Sequence, residues 1–193
     1  MTVARPLGLL AVGSCLLWAS SVDGASFTLT PEERDAAVAM GRQSVQSERF
    51  GAEWKVRGGG ADEGVVVMTP FHRLALAARN ATFRNEELKP KDIDGLLRGE
   101  EGKLTVWVTL RGARADFARS YTPVLVNGQQ QIKAIFTQNE RTARREEDGG
   151  YTARCLYVFP GDGLKRVGPV TLIVRDAEGK AVAQFTIDLS AMR

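Results

Sequence analysis

The chain changes its hydrophobic period near residue 100. Before that point apolar side chains recur at spacings of three and four, with two short β-prone runs between; beyond it they alternate with polar ones. The first spacing puts residues on one face of a helix, and alternation puts them on one face of a strand. Thr30-Pro31-Glu32-Glu33 is a helix start, with Thr30 as cap, Pro31 at the first helical position and Glu33 where a capping-box acid reaches back. The helix is expected to run to Val45. Its apolar face is thin (Ala37, Val38, Met40, Val45), so it should lie on the surface of something larger. Trp54-Lys55-Val56 and Val65-Val66-Val67-Met68 flank a glycine-rich stretch and predict a hairpin. Thr69-Pro70 repeats the cap-plus-proline start, and Phe71, Leu74, Ala78 and Ala81 share a helical face behind it. Pro90 opens a third, short helix with Ile93, Leu96 and Leu97 as its apolar face and Gly99 at its end.

From Lys103 onward, Leu104, Val106, Val108 and Leu110 point one way and Thr105, Trp107 and Thr109 the other. Val124 and Val126 lead into Asn127-Gly128, read as a two-residue hairpin turn, and Ile132, Ala134 and Phe136 leave it. Tyr151, Ala153, Cys155, Tyr157 and Phe159 share a face, as do Val170, Leu172 and Val174. A last alternating run covers Ala181 to Leu189. Short strands separated by turns, with no helical pattern between, predict an antiparallel β-sandwich. The expected fold class is α+β: a helical region with a β-hairpin over residues 25–100, then an antiparallel β-sandwich over 101–193. The front hairpin has an alternative placement, as an extension of the sandwich sheet that would make the chain one domain.

The layout from Tyr151 to Leu189 resembles the last strands of an immunoglobulin-like or fibronectin-III-like domain. Phe159-Pro160, the Gly161-Asp162-Gly163 turn, Val170–Arg175, the Ala177-Glu178-Gly179 hairpin and the final strand carry the resemblance. It is a resemblance of fold, without the Cys–Trp–Cys set of antibody domains, and such sandwiches host many functions.

Residues 1–24 read differently. Arg5 is the only charge before an apolar stretch from Leu7 to Ala19, which is the pattern of an export signal. The stretch is short of the roughly 20 apolar residues that a membrane-spanning helix needs. Ser20, Ser21, Gly24 and Ala25 offer cleavage positions, so no transmembrane helix is expected in the mature chain. Val12-Gly13-Ser14-Cys15 resembles the lipobox of bacterial lipoproteins, which implies lipidation at Cys15 as an alternative; Leu16, Leu17 and Trp18 depart from that pattern by continuing the apolar run. Cys155 is the only other cysteine, so a processed chain has no internal disulfide and must rely on its core.

Composition excludes more than it identifies. The chain is 44% hydrophobic and 25% charged, with a net charge of +3. That charge is too small and diffuse for nucleic acid and compatible with weak attraction to anionic surfaces. No glycine-rich phosphate loop, nucleophile elbow or paired-carboxylate motif occurs, and neither a cofactor nor a metal is expected. Asp162, Asp176 and Glu178 are explained by turn chemistry.

Three features remain as candidates. His72, the only histidine, falls at the third position of the second helix, where the helix dipole favours a neutral imidazole able to act as base or ligand. Catalysis would need a carboxylate such as Glu87 or Asp92 beside it. Cys155 lies among aromatics on one strand face and is expected to be buried and inert. Arg141, Arg144 and Arg145 precede Glu146, Glu147 and Asp148. That segregation predicts either locally paired, solvated charges or a recognition loop for phosphate or carboxylate. The leading expectation is a non-catalytic binding or structural module of the bacterial cell envelope, exported to the periplasm or beyond. Its partner would be another envelope protein or an anionic envelope component, met by Arg141, Arg144, Arg145 and His72. A lipoprotein accessory subunit tethered through Cys15, and an enzyme acting on an envelope component through His72, are the alternatives.

Overall fold

Thr30 caps the first helix as its sequence requires. Its Oγ1 accepts from the Glu33 N–H at 3.2 Å, and Glu33 Oε2 accepts from the Thr30 N–H at 2.6 Å. The computed structural model describes residues 25, 27–60, 62–164 and 168–193, so the expected export signal and Cys15 lie outside the described residues. Helix α1 spans Pro31–Gln43, two residues short of expectation, and buries only Ala37 and Gly41. It lies against α2 (Pro70–Phe83), which the Thr69 side chain caps and which buries Phe71, Leu74, Ala75, Ala78 and Ala81. The two backbones meet closely at Gly41, where an added Cβ would stand 2.2 Å from the Ala75 carbonyl oxygen. The thin apolar face of α1 is therefore the face of a helix seated on another helix by small residues. Helix α3 (Pro90–Glu100) buries Leu97, with Ile93 and Leu96 packed against the core.

Ten strands form two antiparallel sheets among the described residues. The larger contains β1 (Lys55–Arg57), β2 (Gly64–Met68), β3 (Lys103–Gly112), β6 (Phe136–Gln138), β7 (Arg144–Arg145) and β8 (Tyr151–Pro160). Its order is β1-β2-β3-β8-β6, with β7 also on β8. The smaller is ordered β10-β9-β4-β5, from β4 (Thr122–Asn127), β5 (Gln130–Lys133), β9 (Pro169–Arg175) and β10 (Ala181–Asp188). The chain is thus of mixed α+β type, with three helices and two antiparallel sheets among the described residues and one hydrophobic core. Leu104, Val106, Val108, Cys155, Tyr157 and Phe159 enter that core from the larger sheet, and Leu125, Leu172, Val174, Phe185 and Ile187 from the smaller. Burying each such side chain contributes roughly 1.5–3 kcal/mol against the entropy of ordering the chain. No helix among the described residues is long and apolar enough to cross a membrane.

The front hairpin takes its alternative placement: strand β2 pairs along β3 from Gly64↔Thr109 to Met68↔Thr105, so the hairpin extends the larger sheet. Two details differ from the sequence reading. The β4–β5 turn uses Gly128-Gln129 rather than Asn127-Gly128, because Asn127 pairs with Gln130. Gly128, at φ 61°, then holds the first central position, where a II′ hairpin turn requires glycine. The run through Ile132, Ala134 and Phe136 is two strands rather than one. β5 ends at Lys133 in the smaller sheet, the Ile135 N–H bonds to the Val158 carbonyl, and β6 continues beside β8 in the larger. A chain that changes sheets must break its ladder, and it does so at Ala134-Ile135.

Candidate anion-binding site

Arg119 and Arg141 flank a cavity of about 410 Å³ beside the edge strand β6, lined also by Thr137, Gln138 and Asn139. Each part is held by packing upstream of it. After β3 the chain turns through residues 113–121, where the Phe117 ring covers Gly112 so closely that an added Cβ would stand 2.3 Å from it. Ala118 is buried, and the Arg119 side chain emerges from that anchored turn into solvent. On the other side, the Ala143 N–H donates to the Ala115 carbonyl at 2.7 Å, tying the segment that carries Arg141 to the same turn.

Asn139 joins the two sides. Its Oδ1 accepts from the buried Tyr157 hydroxyl at 3.0 Å, and its amide donates to the Tyr121 carbonyl at 2.8 Å and, at longer range, to the Arg119 carbonyl at 3.5 Å. Burial pushes the Tyr157 phenol well above its ordinary range, so it remains a donor. Glu140, between Asn139 and Arg141, is the carboxylate best placed in sequence to neutralise the site. It is turned away: its Oε2 accepts from the Arg154 N–H at 2.6 Å. No carboxylate lines the cavity, and neither the Arg119 nor the Arg141 guanidinium has an ion-pair partner among the described residues. Two uncompensated guanidinium forks across a small polar cavity suit a carboxylate or phosphate group, which each can grip with two parallel N–H donors.

The other sequence candidates fall elsewhere. Arg144 lies on β7, and its guanidinium bonds Glu146 Oε1 at 2.9 and 3.2 Å. The pairing is local, two residues apart at the end of a strand rather than three or four apart on a helix. Arg145 is exposed opposite Tyr151 and does not line the cavity. Asp148 takes Arg111, so the acidic half of the segment is largely engaged.

His72 is 4% exposed and serves the core. Its ring stacks on Trp54 with centroids 4.1 Å apart and planes within 3°, and Nδ1 lies 2.8 Å from the Val67 carbonyl. A carbonyl only accepts, so the ring proton sits on Nδ1. Burial lowers the pKa of the ring below its usual 6.5, opposed by the Val67 bond and by Glu53; neither Glu87 nor Asp92 is among the groups acting on its charge. Around it, the Trp54 indole N–H and the Thr69 hydroxyl both donate to the Arg193 carbonyl, and the Arg193 guanidinium bonds Glu53. Cys155 is fully buried, and burial pushes its thiol up, away from the thiolate that reactivity needs. Asp176 Oδ1 accepts from the Lys180 N–H, as turn chemistry requires.

Arg119 is the residue that sequence reasoning missed. It lies more than twenty positions before Arg141 in a stretch already rich in arginine, and only the Asn139 and Ala143 contacts bring the two together.

No protein-family model matches the chain, and no curated protein matches it. Among solved structures it is similar to a crystal structure of a protein of unknown function from Burkholderia pseudomallei. The identity is 13% and the TM-score 0.42, over 85% of this chain and 92% of that one.

Proposed function

We propose that this chain is an exported, non-catalytic binding module of the bacterial envelope that takes an anionic group at the Arg119–Arg141 notch. The group belongs to an anionic envelope component or to an acidic surface of another envelope protein. One observation carries the reading: two arginines without ion-pair partners among the described residues face a cavity without a carboxylate. Two like charges beside one cavity, with no carboxylate between them, repel one another until an anion joins them, so the arrangement is poised for a ligand. Export is supported by Arg5 ahead of the apolar run from Leu7 to Ala19. Two antiparallel sheets with a shared core support reading the tail as an immunoglobulin-like or fibronectin-III-like sandwich, an architecture that presents ligands to its connecting loops.

Calorimetric titration with pyrophosphate tests the reading. Binding is expected in low salt, weakening as ionic strength rises, and at least tenfold weaker in the Arg119→Ala/Arg141→Ala double variant. Equal affinity in the two proteins, or no binding by either, refutes the notch as an anion site.

A further inference from the structure

The larger sheet has a second, outward face that the core does not use. The register aligns Val66, Trp107 and Leu156 in one row across β2, β3 and β8; Val158 and Phe136 lie side by side in the next, on β8 and β6. None of these five is buried except in part, and at the margin Ile135 and Phe136 are 59% and 49% exposed. Arg73, Glu100 and Lys103, at the ends of the neighbouring helices and strand, wall the opposite side. With Trp107, Ile135, Phe136, Leu156 and Val158 they enclose a trough of about 470 Å³.

Its width and charge narrow what fits. From β3 across β8 to β6 is two strand spacings, about 10 Å, which is the diameter of a single α-helix with its side chains. Glu100 is already bound to Arg73, with Nε and Oε1 3.0 Å apart. Arg154 lies over the Trp107 ring, 5.1 Å from its centroid, with no ion pair among the described residues. Lys103 donates only to the Gly99 carbonyl. An apolar floor with unneutralised cations at its margins matches a ligand that is apolar in the middle and acidic at its sides. A bilayer is a poor fit: it presents a broad surface, and the Ile135–Phe136 wall stands between such a surface and the Trp107–Leu156 floor.

We propose that this trough docks one acidic amphipathic helix of a partner protein. Its apolar residues lie on Trp107, Leu156 and Val158, and its carboxylates meet Arg154 and Lys103. This is the helix-in-groove mode of recognition, in which residues spaced three and four apart supply the anchors. The surface is separate from the Arg119–Arg141 notch, and neither reading depends on the other.

The test is selection of a random 16-residue peptide library against the protein expressed from its full sequence. Recovered peptides are then measured by fluorescence anisotropy on wild type, Phe136→Asp and Arg154→Glu, each checked for folding by circular dichroism. Acidic peptides with apolar residues at helical spacing are expected. They should bind at least tenfold more weakly to both variants, protect Trp107 from acrylamide quenching, and bind unchanged to Arg119→Ala/Arg141→Ala. Recovery of basic peptides, recovery of none, or affinities that ignore both folded variants overturns the proposal. So does binding to phosphatidylglycerol vesicles that Phe136→Asp abolishes while no peptide binds, which assigns the face to a membrane.

Discussion

Tyr157 donates its buried hydroxyl proton to Oδ1 of Asn139 across 3.0 Å, and through that bond the core holds the floor of the Arg119–Arg141 notch. Tyr157→Phe keeps the ring and removes the donor, leaving a half-buried carbonyl oxygen unsatisfied. A loss of about 1–3 kcal/mol in urea unfolding is expected. Affinity for pyrophosphate should fall severalfold as well, because Asn139 also holds the Tyr121 and Arg119 carbonyls. A variant as stable as wild type with unchanged affinity would show that the floor needs no tether.

Gly41→Ala sets two effects against each other. Alanine favours a helix interior over glycine by about 1 kcal/mol. Here the new methyl would stand 2.2 Å from the Ala75 carbonyl oxygen and 2.9 Å from the Arg79 nitrogen, both backbone atoms that cannot rotate away. Overpacking wins, and a net destabilisation of about 1–3 kcal/mol is expected by chemical denaturation. A stabilised variant would mean that α1 rides on α2 more loosely than its geometry states.

His72 gives the fold a pH dependence near neutrality. Its folded pKa lies below its usual 6.5 because the ring is buried. Above that value the ring is neutral in both states and contributes no pH dependence. As pH falls through 6.5 the unfolded chain gains a proton that the folded one resists, so stability declines until the folded pKa is passed. The thermal midpoint should therefore drop between pH 7.5 and pH 5. The His72→Gln protein, although less stable overall, should have a flatter profile over that window. Parallel profiles would assign the dependence to other groups.

Arg144 separates the notch from generic basic attraction. Its guanidinium is already engaged by Glu146, and it does not line the cavity. Arg144→Ala is expected to change pyrophosphate affinity less than twofold while removing the same formal charge as Arg141→Ala. Equal losses in the two variants would reduce the site to long-range electrostatics.

Local chemistry made the front of the chain legible. Thr30 with Glu33, and Thr69 with Pro70, announced their helices because caps and N1 prolines act within one turn. Alternation placed Leu104 to Leu110 and Tyr151 to Phe159 on buried strand faces for the same reason. What stayed hidden was decided by distant partners. Ile135 changes sheets because Val158 offers it a carbonyl, and nothing in residues 132–136 encodes that. His72 looked available at a helix start, yet Trp54 arrives from another element to cover it. In the charged segment, sequence singled out three arginines as a block; Arg144 pairs locally with Glu146, as segregated charges allow, whereas a tertiary arrangement sets Arg141 beside Arg119.

The location of bound anion tests the Arg119–Arg141 notch with the fewest intervening assumptions. Backbone amide NMR of the labelled protein, titrated with pyrophosphate, reports every residue at once. Saturable shifts are expected for Arg119, Thr137, Gln138, Asn139 and Arg141, with Arg144, Arg145 and the residues around His72 nearly unmoved. Shifts scattered over the basic surface without saturation, or centred away from Arg119 and Arg141, would contradict the account.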